Sequence, residues 1–230
     1  MNIIWLGHGS FRIETGDQVL LIDPWINGNP MMEGQDTAAA IAGATQILVT
    51  HGHFDHTQDI VEVSDRTGAP VSSIYELAQY LFSKGAKEGH AFNKGGQVRF
   101  GDVTVDMVPA SHSSSIVEDG RGVYMGAEIG YVIRGNGKTL YFSGDTTVMA
   151  DMGWIGDYYK PDIGILSAGG YYTMDMKLAA YAAKTYFNFK TVIPCHYRTF
   201  PALEQSAEKL ASGLPGLDVI EPQVMEPIRL

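Results

Sequence analysis

The sequence is poor in several things that would point elsewhere. One cysteine, Cys195, stands in 230 residues, so no disulfide can form within the chain. A reducing compartment fits that scarcity. No window approaches the ~18 consecutive apolar residues that a membrane-spanning helix needs. The chain opens Met1-Asn2-Ile3-Ile4-Trp5, with its first basic residue at Arg12, and so shows no secretory leader. Basic residues are outnumbered, 16 Lys and Arg against 26 Asp and Glu, for a formal net charge of −10. A surface of that sign repels a phosphate backbone unless a local basic patch intervenes, and no run of Lys or Arg supplies one. These absences predict a cytoplasmic protein that binds neither nucleic acid nor membrane.

What is present suits a packed globular unit. Hydrophobic residues make up 45% of the chain and charged ones 18%, which excludes general disorder. The length predicts one domain over residues 1–230. Short apolar runs predict strands at Ile3–Leu6, Phe11–Ile13, Val19–Ile22, Ile47–Val49 and Val98–Phe100, and again at Val103–Val108, Gly130–Ile133, Thr139–Phe142, Ile163–Leu166 and Thr191–Ile193. Gly16-Asp17, Gly101-Asp102 and Asn136-Gly137 predict hairpin turns. Helical spacing predicts helices over Ile60–Arg66, Ile74–Lys84, Asp175–Phe187 and Ala202–Ser212. Such an order suits a layered α+β domain. One weak internal echo is visible, since Leu20–Asp23 and Leu140–Asp145 both run an apolar strand into an aspartate.

The informative segment is Thr50-His51-Gly52-His53-Phe54-Asp55-His56, directly after an apolar strand. Residues two apart in an extended chain face the same side, so His51 and His53 can share one cation. Asp55 and His56 fall where a helix starting near Thr57 is expected, from which both can reach a second cation. A cluster of this density left without a metal would bury costly polar groups. Three further candidates end predicted strands: His112 after Val103–Val108, Asp145 after Thr139–Phe142, and His196 after Thr191–Ile193. Five histidines and two aspartates suffice for two cations with positions left open for water. Imidazole with carboxylate suits zinc or manganese, and iron(II) or nickel is compatible. Cys195, next to His196, reads as a core residue. His90 reads as a surface loop residue, Asp59 and Asp65 as solvated helix positions, and Asp23 as a residue that ties down a strand end.

The order of Thr50–His56, His112, Ser143-Gly144-Asp145-Thr146 and His196 resembles the metallo-β-lactamase superfamily over nearly the whole chain. Gly7-His8-Gly9-Ser10-Phe11, Ile22-Asp23-Pro24, Gly169–Met174 and Pro194–Pro201 are similar to its small metal-dependent hydrolases related to bacterial ascorbate-6-phosphate lactonase. The resemblance implies an αβ/βα sandwich with two divalent metals at one edge of its two sheets. It implies His51, His53 and His112 on the first metal, Asp55, His56 and His196 on the second, and Asp145 bridging. It also implies a small-molecule lactone or other ester as substrate, and self-association is frequent among such relatives. Class B β-lactamases carry cysteine where this chain has Asp145, which disfavours antibiotic hydrolysis. Oxygen-reducing relatives carry glutamate where this chain has a histidine such as His53.

Within that reading Asp55 is a candidate proton shuttle, and His8 a candidate catalytic or substrate-contacting residue. Tyr171 and Tyr172 line the pocket or pack in the core. Two competing readings remain. A phosphodiesterase or nuclease would need a basic cradle, whereas Lys94, Arg99, Arg121, Arg134, Lys138 and Arg198 are scattered. A non-catalytic metal scaffold would leave the ligand set incomplete, and here every position is filled.

Overall fold

The computed structural model describes residues 1–230. The N-terminal half builds a seven-stranded sheet. Its antiparallel part is β1 (Asn2–Trp5), β2 (Phe11–Thr15) and β3 (Gln18–Ile22), and parallel strands β4 (Gln46–Leu48), β5 (Val71–Ile74) and β6 (Glu88–Phe92) continue it. The helices of this half are α1 (Thr37–Ile41), α2 (Phe54–Thr57), α3 (Ile60–Thr67) and α4 (Tyr75–Ser83).

The second seven-stranded sheet begins with antiparallel β7 (Gln97–Phe100) and β8 (Val103–Pro109). A separate ribbon, β9 (Ser115–Glu118) with β10 (Arg121–Tyr124), interrupts it. It resumes with β11 (Ile129–Gly135) and β12 (Lys138–Phe142), then the parallel strands β13 (Ile163–Ser167), β14 (Thr191–Cys195) and β15 (Asp218–Val219). Helices α5 (Asp151–Tyr159), α6 (Met176–Tyr186) and α7 (Glu208–Gly213) lie in this half, and β16 (Pro227–Arg229) returns to pair with β1. No helix is long and apolar enough to cross a membrane.

All ten predicted strands are present with shifted ends, and the three hairpins close where glycine stands. Asn136 and Gly137 both take positive φ, 52° and 69°, as a two-residue turn matching strand twist requires. The Leu20–Asp23 echo has a structural counterpart. β3 and β12 occupy equivalent places in the two sheets, where an antiparallel meander meets parallel strands, and each leads into an aspartate.

The sheets face each other across one contiguous core of 56 buried residues. Phe11 meets Phe142 edge-on across the gap, and the buried Tyr131 hydroxyl donates to Val49 O at 2.8 Å. β1, β3 and β4 run one way in the first sheet, and β8, β12 and β14 run alike in the second. Their C-terminal ends therefore deliver His8, Asp23, His51, His112, Asp145 and His196 to one edge.

Four expectations need correction. The helix expected over Ala202–Ser212 forms only from Glu208, because Glu204 donates its N–H to Gly169 O and accepts from Arg198 N instead. Ile74 ends a strand rather than starting a helix. The turn expected near Thr57 tightens earlier, with α2 starting at Phe54. His90 stands exposed on β6, not in a loop.

Candidate metal centre

Three imidazoles form one cluster. His51 Nε2 lies 3.0 Å from His53 Nδ1, and His112 Nε2 lies 3.3 Å from the same atom. Nitrogens held 2.0–2.1 Å from one tetrahedral ion sit about 3.3 Å apart, so the spacing fits a shared cation. A second cluster joins His8, Asp55, His56 and His196, whose ligating atoms all lie within 4.8 Å of one another. Asp55 Oδ2 stands 3.5 Å from both His56 Nε2 and His196 Nε2. Asp145 lies between the clusters, with Oδ2 at 3.7 Å from His112 Nε2, 4.0 Å from His51 Nε2, 3.5 Å from His56 Nε2 and 3.0 Å from His196 Nε2.

A buried carboxylate sets the orientation of both clusters. Asp23 accepts from Thr50 N at 2.7 Å, from the Thr50 hydroxyl at 2.6 Å and from His56 Nδ1 at 2.8 Å. Thr50 has a single hydroxyl proton and gives it to Asp23, so its oxygen accepts from His51 Nδ1 at 2.9 Å. His51 and His56 therefore present Nε2 to the site. His56 Nε2 is buried without a hydrogen-bond partner, an atom in search of a ligand. The donor set and this orphaned nitrogen fit divalent metal ions.

Glycine and strained backbone complete the placement. A Cβ on Gly9 would stand 2.8 Å from His56 Cε1, so only glycine leaves room for that ring. His8, Asp23 and His196 all take positive φ, at 51°, 46° and 59°, an uncommon conformation that their surroundings enforce.

A family model described as a β-lactamase superfamily domain matches residues 18–211. UPF0173 metal-dependent hydrolases of Roseobacter denitrificans and of a Ruegeria species are 62% and 59% identical over 229 and 231 residues, each match covering 100% of both chains. Igni18, a metallo hydrolase from Ignicoccus hospitalis, superposes with a TM-score of 0.86 at 30% identity, covering 99% of this chain and 97% of its own. The chain belongs to the UPF0173 metal-dependent hydrolases.

The fold of this UPF0173 protein is the metallo-β-lactamase sandwich that its motifs implied. Charge differs between the clusters. Burial holds His51 and His53 below the usual histidine range, helped respectively by His56 and His112, and burial also lowers His112. Burial opposes charge on His56 and His196 too, but the carboxylates outweigh it. Asp145, Asp55 and Asp23 push His56 well up, while Asp145 and Asp55 carry His196 to about 9. Against their own burial, His196 and His56 hold Asp145, and His56, His196 and His8 hold Asp55, below the ordinary carboxylate range. A cation entering the second cluster must therefore displace protons.

The two clusters open onto a cavity of about 850 Å³, whose walls include His53, Asp55, His112, Asp145 and His196. Of the two places left open for Tyr172, it takes the cavity wall. Tyr171 does not; with φ at 57° it borders a separate depression beside Lys177 and Tyr181. His8 departs from the expectation of substrate contact, being fully buried and absent from the cavity wall. Burial and neighbouring His196 lower its pKa to about 4, leaving a neutral ring. That ring donates Nε2–H to Asp55 Oδ2 at 2.8 Å and accepts the Thr199 hydroxyl at Nδ1, also at 2.8 Å.

Thr50 and Thr199 fall inside the quoted motifs Thr50–His56 and Pro194–Pro201, but the sequence assigns neither a part. Thr50 is marked only by its place before His51, and Thr199 meets His8 from 191 residues away. Asp59 is not solvated: it is buried and accepts from Ile26 N and Asn27 N, pinning the segment after Asp23. Asp65 is exposed and Cys195 packs in the core, both as expected. Ser113 and Ser114 steady their neighbours, with Ser113 Oγ 3.3 Å from His53 Nε2 and Ser114 Oγ accepting from Gly52 N.

Proposed function

We propose that this chain is a dinuclear metallohydrolase acting on a small-molecule lactone or other ester in the cytoplasm. The observation that carries this reading is Asp145 Oδ2, which faces imidazole nitrogens of two separate ligand clusters within 4.0 Å. His51, His53 and His112 would hold one ion and Asp55, His56 and His196 the other, with Asp145 shared. Zinc or manganese suits these donors, and iron(II) or nickel is compatible. Divalent ions bound there would polarise the scissile carbonyl and lower the pKa of water enough to make a nucleophile near neutral pH.

The chain's own groups do the rest. Asp55, on the cavity wall, would take a proton from the attacking water and pass it to the leaving oxygen. His8 is a positioning residue: its Nε2–H fixes Asp55 Oδ2, and Thr199 fixes His8. Asp23 does the same for His51 and His56. Tyr172 stands where a bound substrate would pass.

The phosphodiesterase reading is weaker. None of Lys94, Arg99, Arg121, Arg134, Lys138 or Arg198 lines the cavity, and Arg134 and Arg198 are paired with Asp106 and Glu221. The test is a hydrolysis screen of metal-loaded protein over lactones, aryl esters and bis-aryl phosphodiesters, repeated with His53→Ala. Ester or lactone turnover that falls at least a hundredfold in the variant supports the proposal. Turnover of phosphodiesters alone, or turnover indifferent to His53, overturns it.

A further inference from the structure

The cavity does not end at the ligand clusters. Its wall also includes an apolar arm formed by Val61 of α3, Tyr80 and Leu81 of α4, and Ile116 and Val117 of β9. β9 belongs to a two-stranded ribbon that pairs with neither main sheet, yet its Ile116 and Val117 both border this space. Val117 is 72% exposed. Apolar groups grouped on the wall of a concavity mark a binding surface. The ribbon is tethered to α4 through Glu118, which accepts from the Tyr80 hydroxyl at 2.7 Å and from Lys84 Nζ at 2.9 Å. The arm is thus preformed.

Its charge is equally specific. Lys84 is the one lysine or arginine on the cavity wall, and Glu118 matches its charge. An anionic group on the substrate would find no unpaired cation in the arm and would leave water without compensation.

We propose that the arm receives an uncharged, apolar acyl or aryl group of the substrate, so that this protein hydrolyses hydrophobic esters in preference to phosphorylated or carboxylated ones. The proposal rests on the hydrolase reading above for its chemistry but on the arm alone for its specificity. In the reaction, water adds to the acyl carbon and the acyl C–O bond breaks. The acyl carbon keeps the water oxygen as a carboxylate at the ligand clusters, with its apolar chain in the arm. One water proton departs on the leaving oxygen as the alcohol, and the other passes to solvent.

The experiment has two series. Metal-loaded protein is assayed on 4-nitrophenyl esters from acetate to octanoate, and linear alcohols from butanol to octanol are titrated by calorimetry with no turnover involved. The expected kcat/KM rises roughly threefold to fourfold per methylene until the arm is filled, the factor that ~0.8 kcal/mol per buried CH₂ gives. Alcohol affinity is expected to rise in parallel. Val117→Asn, on an exposed residue of the ribbon, should flatten both slopes with the melting temperature unchanged. Ile116→Asn, whose side chain packs partly on the core, should flatten them with some loss of stability. The 4-nitrophenyl monoester of glutarate should react at least tenfold more slowly than the pentanoate ester.

Length-independent alcohol binding, slopes that survive both substitutions, or a glutarate ester as fast as pentanoate would overturn the proposal. Where the two series disagree, the alcohol titration decides. Rising alcohol affinity with no ester turnover would support the arm and strike instead at the ester reading of the centre.

Discussion

Replacing Asp23 with asparagine changes one buried atom and should disturb both ligand clusters at once. Asp23 Oδ2 accepts two protons, from His56 Nδ1 at 2.8 Å and from the Thr50 hydroxyl at 2.6 Å, and Thr50 in turn fixes His51. An amide nitrogen there would face the His56 N–H with its own. Rotated by half a turn, it would face the Thr50 backbone N–H, which lies 2.7 Å from the other oxygen. Either way a buried donor loses its acceptor. Hydrogen bonds to charged groups are worth about 1.5–3 kcal/mol each, so losing one outright and weakening the others by removing the charge should cost about 3 kcal/mol. For a chain of this size that lowers the melting temperature by roughly 6–12 °C. Metal affinity should fall tenfold to a hundredfold, because partners that orient ligand imidazoles carry effects of that size. The assay is chelator competition for zinc, with thermal denaturation alongside. Asp59→Asn is the control, since Asp59 is also buried but holds only the 24–27 segment and touches no ligand. It should lose stability and keep metal affinity. Wild-type affinity in Asp23→Asn, or an equal loss in Asp59→Asn, would refute the reasoning.

Other consequences are checked as directly. His8→Ala removes the donor to Asp55 Oδ2 and should lower kcat about tenfold to a hundredfold with little change in KM, in steady-state assays on the best ester. Gly9→Ala sets a methyl 2.8 Å from His56 Cε1, and the crowding should cost about 1–3 kcal/mol in urea titrations and loosen metal binding. In metal-free protein, His196 and His56 have pKa values raised by their carboxylate neighbours, His196 to about 9. A folded pKa above the unfolded 6.5 gives stability that is complete below pH 6.5 and lost as pH climbs through 9. Melting temperature in chelator should therefore decline over that window. Saturating metal should flatten the decline, because bound imidazoles are already deprotonated.

The chemistry was more legible in the sequence than its scaffolding. Apolar runs bounded by glycine turns marked strands such as Val103–Pro109 and Lys138–Phe142, since burial on both faces demands continuous hydrophobicity. β5 escaped notice because serines occupy the middle of Val71–Ile74. Their hydroxyls are satisfied by neighbouring strands, Ser73 donating to Val49 O and Ser72 accepting from His90 N. The β9–β10 ribbon escaped for the opposite reason, being too exposed for periodicity to show. Among site residues, the candidate ligand types and their strand-end positions were readable because coordination would constrain both. The roles of His8 and Tyr171 were not, because they depend on distant partners and a local φ. His8 is held by Thr199 and Asp55, far away in the chain, and Tyr171, in the left-handed region, borders a separate depression.

Metal stoichiometry tests the central claim most directly. Elemental analysis of protein reconstituted with zinc or manganese should give two equivalents for the wild type and close to one for His53→Ala, with a chelator-resistant ion left in the other cluster. One equivalent in the wild type, or none, would contradict an account in which Asp145 stands between two occupied sites.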